Sequence, residues 1–451
     1  MQVLTQPTPE YRPSLHFTPE QTWMNDPNGL ILHKGQYHLF FQNNPFGQDW
    51  GNMSWGHAVS SDLVTWRELP VAIPATDEEM VFSGSVVWDR FNTSGLGEAD
   101  KGPLVALYTS AHTDADPQRS GQQTQSVAYS ADDGLTWTRY SGNPVLERGS
   151  TEFRDPKVFW HEQSGRWVMV CVEAVDRQVL FHSSADLTSW TLESVFGPVR
   201  DADGVWECPD LVPVPVEGSD AVAWVLVVSF SPGGFCGGSG MQYFIGDFDG
   251  RTFSPAVAEP RWLDFGPDFY AAVSFQGTEV PTIMGWMSNW DYARQAPTHP
   301  WRSAMSLART ISLAQTEAGL LLRQRLVLPD SRRADVVVEE FSMDGAGELR
   351  VEWGDGGGPV SVLVLRRDEA GGVTVDRSGA DPHGVHAAHG VTPTFRVPGQ
   401  GVPGVVVEDH GLVEILLDDG LFSITMQTFP GAGPARVTGA GQIRLAAESG
   451  R

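Results

Sequence analysis

Between residues 15 and 325, short apolar runs alternate with polar turns in a pattern that keeps returning. A β-rich run, a gap, a second strand and a Ser/Asp/Gly turn closing on an aromatic residue make up the unit. It appears in YHLFFQNNP…WGHAVSSDLVTW (Tyr37 to Trp66) and again in PLVALYTSA…QSVAYSADDGLTW (Pro103 to Trp137). It returns in RWVMVCVEA…VLFHSSADLTSW (Arg166 to Trp190), more weakly in AWVLVVSFS…MQYFIGDFDGRTF (Ala223 to Phe253), and in VPTIMGWMSNW…MSLARTISL (Val280 to Leu313). The closing aromatics lie about 50 to 70 residues apart, close to the period of a four-stranded propeller blade with loop insertions. Nearly continuous apolar runs such as VLVVSF suit inner strands buried on both faces. A five-bladed β-propeller over residues 1–328 follows; a sandwich of repeated hairpins is the alternative, and the recurrence disfavours it.

After Leu328-Pro329-Asp330 the texture changes. Runs such as ADVVVEEFSM, PVSVLVLRR, GVTVDRS, GVVVEDHGLVEILLDDG and LFSITMQTF alternate apolar with polar positions between Gly/Pro/Asp turns. This spacing predicts a β-sandwich over 329–451, with one face of each strand wet and one packed. Composition agrees with an all-β chain: 49 Gly, 31 Pro and 16 Trp in 451 residues favour many short strands over long helices.

The formal charge of −26 disfavours nucleic acid and anionic membranes as partners, since both are polyanions. Cys171, Cys208 and Cys236, widely spaced, read as reduced thiols rather than a disulfide framework or a zinc cluster. The N-terminal stretch lacks the basic and apolar regions of a signal peptide, so the expectation is a cytoplasmic protein, or a secreted one whose leader has been removed.

Three carboxylates share one local grammar: an apolar approach, an acid, a proline and a β-run. They are Asp26 in W-M-N-D-P-N-G, Asp155 in F-R-D-P, and Glu207 in W-E-C-P-D. Proline fixes its own φ and biases the residue before it toward extended geometry, so these acids are held at defined orientations. Any one alone reads as a solvated turn residue, with Asn-Asp-Pro-Asn at 25–28 a turn; three at blade starts read as a site. Paired carboxylates in an aromatic pocket suit glycoside hydrolysis, which needs one ionised acid and one protonated acid. Trp206 beside Glu207 is expected to favour the neutral acid, the amides flanking Asp26 its anion, and Arg154 the charged form of Asp155.

The set WMNDPNG, FSGS (Phe82 to Ser85), FRDP, WECPD and DFYA (Asp268 to Ala271) resembles glycoside hydrolase family 32, the β-fructosidases: invertases, exo-inulinases and levanases. The resemblance covers nearly the whole chain, and Trp286 to Arg309 is similar to the exo-inulinase and levanase branch. It implies a five-bladed propeller followed by a β-sandwich, a retaining double displacement, and no metal or cofactor. By it, Asp26 is the nucleophile, Glu207 the general acid/base and Asp155 the transition-state stabiliser. Asn25, Gln42, Trp50, Phe82, Ser83, Arg154 and Trp290 would line the fructose pocket. Retention would place the Asp26 and Glu207 carboxyls about 5–5.5 Å apart.

Two functional classes remain at this point. One is an exo-acting β-fructosidase, with a fructosyltransferase on the same site as its variant; the other is a non-catalytic fructan-binding or sensing protein. The presence of all three acids argues for the first. Other candidates carry less chemistry. SPGGFCGGSG (Ser231 to Gly240) lacks the Lys-Ser/Thr of a phosphate loop and reads as a blade loop. His383, His386 and His389 read as a solvated loop rather than metal ligands. Cys208 is expected to pack on the pocket wall, and Trp50, Trp206 and Trp290 are the tryptophans expected to stack on sugar.

Overall fold

The computed structural model describes residues 11–98, 101–199, 204–354, 361–382, 384–431 and 433–446. Five antiparallel sheets follow one another along the chain. Blade 1 has the strands Thr22–His33, Gln36–Asn44, Ser54–Ser60 and Trp66–Ile73, and blade 2 has Glu79–Trp88, Leu104–His112, Gln123–Ser130 and Thr138–Arg139. Blade 3 has Phe153–His161, Arg166–Glu173, Gln178–Ser184 and Thr191–Phe196. Blade 4 has Val205–Pro215, Val222–Ser231 and Gly240–Phe248, edged by Phe253–Pro255 and Arg261–Trp262. Blade 5 has Tyr270–Ser274, Thr282–Met287, Arg309–Thr316 and Gly319–Leu326.

The first strands of successive blades pack side by side, and that of blade 5 packs on that of blade 1, which closes the ring around an axis. At the seam Leu32 N donates to Gln276 O at 2.8 Å, Gln276 N donates to Leu30 O at 2.9 Å, and the short strand Trp301–Arg302 runs parallel to Thr22–His33. Between blades the cores are apolar, as where Phe159, Val170 and Trp206 meet Leu226, Phe230 and Phe244 between blades 3 and 4.

The repeat read from the sequence is the pair of middle strands in each blade, and its turn has a physical origin. Asp62 Oδ1 accepts from Val64 N and Thr65 N while Trp66 Nε1 donates to Leu63 O; Asp186 and Trp190 do the same with Thr188, Ser189 and Leu187. The carboxylate ties the turn and the indole caps it, which is why Ser-x-Asp and Trp travel together.

The C-terminal sheet becomes a sandwich through one long strand, Val337–Trp353. Residues 337–343 pair with Val402–Asp409, residues 347–353 pair with Ser361–Arg367, and Ala435–Leu445 runs along its other edge past a bulge at 343/347. Phe341 and Met343 thereby share one core with Leu349, Val351, Leu363, Val375, Val413 and Ile415. One expectation fails here: Leu412–Leu417 is buried on both faces, because its outer face docks on the propeller, where Glu414 meets Arg309. His389 is also buried rather than solvated, and its Nε2 donates to Gln427 O at 3.1 Å; His383 lies outside the described residues. Among the described residues no helix is long and apolar enough to cross a membrane.

Candidate active site

All five inner strands carry the same irregularity. Each has one residue more than its neighbour over a short stretch: Met24 to Pro27, Val81 to Gly84, Arg154 to Lys157, Glu207 to Asp210 and Tyr270 to Val273. A bulge re-aims side chains and tolerates proline, which has no N–H for the ladder. Asp26, Ser83, Asp155 and Cys208 fall within these bulges, and Glu207 opens one. Trp23 to Gly29 is therefore a bulged strand rather than a turn, and so is Phe82 to Ser85. Asp155, Cys208 and Ala271 adopt φ of +63°, +45° and +52°, left-handed values that cost a non-glycine residue about 1–2 kcal/mol each. Strain of this kind persists where surrounding structure over-determines it, and it clusters at functional sites.

The bulges converge on a cavity of about 400 Å³ lined by Asn25, Asp26, Gln42, Trp50, Phe82, Ser83, Gln123, Glu152, Arg154, Asp155, Glu207, Trp290 and Arg294. All ten site residues expected from sequence are among them. A cavity of about 520 Å³ between blade 5 and the sandwich is larger, but its Arg325 and Asp419 are paired with one another, and no cluster of acids faces into it. The smaller cavity holds the chemistry.

Each acid has its own partners. Asp26 accepts from Asn25 Nδ2 at 3.0 Å and from Ser83 Oγ at 2.7 Å. Asp155 Oδ2 accepts from Cys208 N at 2.8 Å, and the Cys208 thiol lies 3.5 Å from Asp26 Oδ2 and 3.7 Å from Asp155 Oδ2. Burial and the three surrounding carboxylates hold this thiol far above the usual range, so it stays a neutral donor between two acids rather than plain wall packing. Glu207 accepts from Arg154 Nε at 3.2 Å and from the Tyr270 hydroxyl at 2.5 Å. At 24% side-chain exposure it is far more open than Asp155 at 6%.

The electrostatics differ from expectation in two places. Burial, then the charge of Glu207, raises the Asp26 carboxyl above its usual range, against the hydrogen bonds from Ser83, Asn25 and Cys208. Burial likewise pushes Asp155 up to about 7, aided by Glu207 and Asp26 and opposed by Arg154. Arg154 does not keep Asp155 charged as expected, because its guanidinium sits 4.0 Å from Asp155 but 3.2 Å from Glu207 and 2.8 Å from Glu152. With three acids around one arginine, the cluster retains a proton into the neutral range.

Aromatic rings wall the acids. Trp290 stacks on Trp23 with centroids 6.1 Å apart and an interplanar angle of 24°, and Trp50 meets Phe82 edge-on at 5.9 Å. Trp206 is not among them. Strand alternation sends Glu207 to the pocket and Trp206 to the opposite side, where it is buried between blades 3 and 4 against Phe196. Sequence reasoning missed Gln123, Glu152 and Arg294 as lining residues. Glu152 was readable, since it stands two positions before Arg154 at the entry to the strand Phe153–His161; Tyr270 lay inside the DFYA motif without a role.

Comparison with known proteins places this geometry. The glycosyl hydrolases family 32 N-terminal domain matches residues 16–324. The levanase of Bacillus subtilis (strain 168) is 49% identical over 326 residues, covering 70% of this chain and 46% of the relative. The extracellular exo-inulinase of Aspergillus awamori is 48% identical over 333 residues, covering 67% of this chain and 62% of the relative. The chain thus spans between about half and three-fifths of the length of these curated relatives. In three dimensions it is similar to the β-fructofuranosidase of Schwanniomyces occidentalis complexed with fructosyl-erythritol, with a TM-score of 0.89, 34% identity, and coverage of 99% of this chain and 96% of that one. Three acids on bulged inner strands, a propeller joined to a sandwich and these likenesses agree: the chain belongs to glycosyl hydrolase family 32.

Proposed function

We propose that this protein is a retaining, exo-acting β-fructosidase that releases fructose from terminal β-D-fructofuranosides. The observation that carries the reading is the convergence of Asp26, Asp155 and Glu207, from three different blades, on one aromatic-walled cavity. At about 400 Å³ the cavity is near the lower end of ligand-pocket sizes, and suits a terminal sugar with part of its leaving group rather than a threaded polymer.

Asp26, held in place by Asn25 and Ser83, attacks the anomeric carbon to form a fructosyl ester. Glu207, more open than Asp155, protonates the departing glycosidic oxygen and then takes a proton from the water that resolves the ester. Asp155 faces the sugar from the neighbouring strand, where its carboxylate grips hydroxyls and stabilises the oxocarbenium-like transition state. The rings of Trp50, Phe82 and Trp290 exclude water and hold the apolar face of the sugar. The names levanase and exo-inulinase of the relatives support fructans as the substrate class.

The test is a product profile after incubation with sucrose, a short β-2,1 fructan, inulin and levan. Free fructose as the only early product from the fructans supports exo-hydrolysis. Lengthened fructans at high substrate concentration would indicate transfer. Binding without release from any of the four would overturn the enzymatic reading in favour of a non-catalytic one.

A further inference from the structure

The pocket wall formed by Trp290 and Arg294 belongs to an insertion between the second and third strands of blade 5, with a single 3-10 turn, Ala293–Gln295, as its only helical element among the described residues. Within the insertion Tyr292 N and Ala293 N bond to Asn289 O, Trp290 N donates to Ser239 Oγ and Asn289 Nδ2 to Pro267 O, while Trp301–Arg302 pairs with blade 1 and Ala304–Met305 with the second strand of blade 5. At Tyr292 it is also anchored by the sandwich domain. Tyr292, 1% exposed, donates its hydroxyl to Asp268 Oδ1 at 2.5 Å and accepts from Arg377 Nη2 of the sandwich at 2.7 Å. Arg377 Nη1 pairs with Asp268 Oδ2, and the same guanidinium reaches Gln427 O at 2.7 Å and His389 O at 2.7 Å. Gln427 completes the frame: its N donates to Asp268 Oδ2 at 2.8 Å and its Nε2 to Met287 O at 2.6 Å.

Two members of this cluster are each two residues from a group that lines or contacts the site. Tyr292 lies between Trp290 and Arg294, and Asp268 is two positions before Tyr270, whose hydroxyl bonds Glu207. The cluster is buried, so its hydrogen bonds work in a low dielectric, and a planar guanidinium donating to four acceptors in fixed directions transmits position rather than mere attraction. We infer that Arg377 of the sandwich is a positioning residue for the substrate pocket, setting the place of Trp290 and Arg294 through Tyr292 and Asp268. This rests on the fructosidase reading of the same pocket, and gives the sandwich a part in substrate binding without contact with substrate. Asp26, Asp155 and Glu207 sit on the inner strands of blades 1, 3 and 4, outside this frame, so loosening it weakens binding more than chemistry.

The test compares Tyr292→Phe, which keeps the Asp268–Arg377 pair and so spares folding, with Arg377→Met and Arg377→Lys. Thr425→Val, which disturbs another interdomain contact, at Asp264 and Arg309, serves as the control. KM and kcat on a short fructan are measured well below every Tm, and fructose affinity is measured by calorimetry. Tyr292→Phe is expected to raise KM and the fructose Kd about five-fold with kcat changed less than about two-fold. Arg377→Met should exceed it, Arg377→Lys should recover part of the loss, and Thr425→Val should lower Tm alone. Lowered Tm with unchanged KM and Kd in Tyr292→Phe and Arg377→Met overturns the inference. Wild-type protein that binds fructose without turnover overturns the enzymatic reading and leaves calorimetry to decide the positioning role; wild-type protein that does neither overturns both.

Discussion

Two buried charge clusters in this molecule are built from the same parts and behave in opposite ways. In the pocket, Glu152, Asp155 and Glu207 surround one cation, Arg154, and Asp26 adds a fourth acid. Between propeller and sandwich, Asp264, Asp409 and Glu414 meet three, Arg309, His16 and His410. Arg309 bonds Glu414, Asp264, Gln324 and Thr425, and His16 bridges Asp409 at 2.8 Å and Glu414 at 3.0 Å. Burial disfavours charge in both places, yet Arg309 and His16 hold Glu414 down to about 2, while Asp155 is driven up to about 7. The number of cations per carboxylate decides the sign. A balanced cluster is a joint, and one with surplus acids holds on to a proton.

Removing a partner should therefore harm different properties in the two clusters. Asp26→Asn is expected to lower kcat by about 10⁴-fold or more with Tm little changed, measured as fructose release beside thermal melting. A folded Asp26→Asn protein with normal turnover would sink its role as nucleophile. Arg309→Met strands Glu414 and Asp264 in the interior, at a cost of about 3–5 kcal/mol in stability, read by denaturant unfolding. Stability unchanged in that variant would show that the joint is not held by charge.

The pH dependence sharpens the contrast. Asp155 in the folded protein holds its proton to about pH 7, well above the ordinary value of 3.8. The folded state thus binds more protons than the unfolded one between about pH 4 and 7, and stability from this group falls as pH rises through that window. Asp155→Asn should lose about 10²–10³-fold in activity. It should also melt about 2–5 °C above wild type at pH 8, with no gain at pH 4. Wild-type melting at or above the variant's at pH 8 would contradict this.

His16 loses stability in the same direction of pH, but because its charged form is the one the fold favours. Its imidazolium, raised to about 9 against the cost of burial by Asp409 and Glu414, stabilises the fold fully below pH 6.5, and that stability is lost as pH rises through about 9. His16→Gln should cost about 1–2 kcal/mol at pH 6, the difference from wild type shrinking toward pH 10. A difference constant with pH would place the effect in packing rather than charge.

Much of the site was legible because its residues sit at short, local signals. Asp26, Asp155 and Glu207 each stand close before a proline, and the Ser-x-Asp…Trp turns mark the blades at Trp66, Trp137 and Trp190. Trp206 was misread because a sequence does not say which face of a strand turns inward, and the bulge at 207–210 makes that choice. Arg377 could not be read as relevant to a pocket beside Trp290, since its partners Tyr292 and Asp268 lie 85 and 109 residues away in the chain.

The amino-acid sequence by itself determined the all-β class, the recurring blades, the change of texture near Pro329 and the identity of three acids, because each rests on contacts within a few residues. Only the tertiary structure decided which acid pairs with Arg154, which cluster carries a surplus carboxylate, and which sandwich residue reaches the pocket wall. Those outcomes depend on the count of charges brought together by distant segments, and on a desolvation that exists only once the core has closed around them.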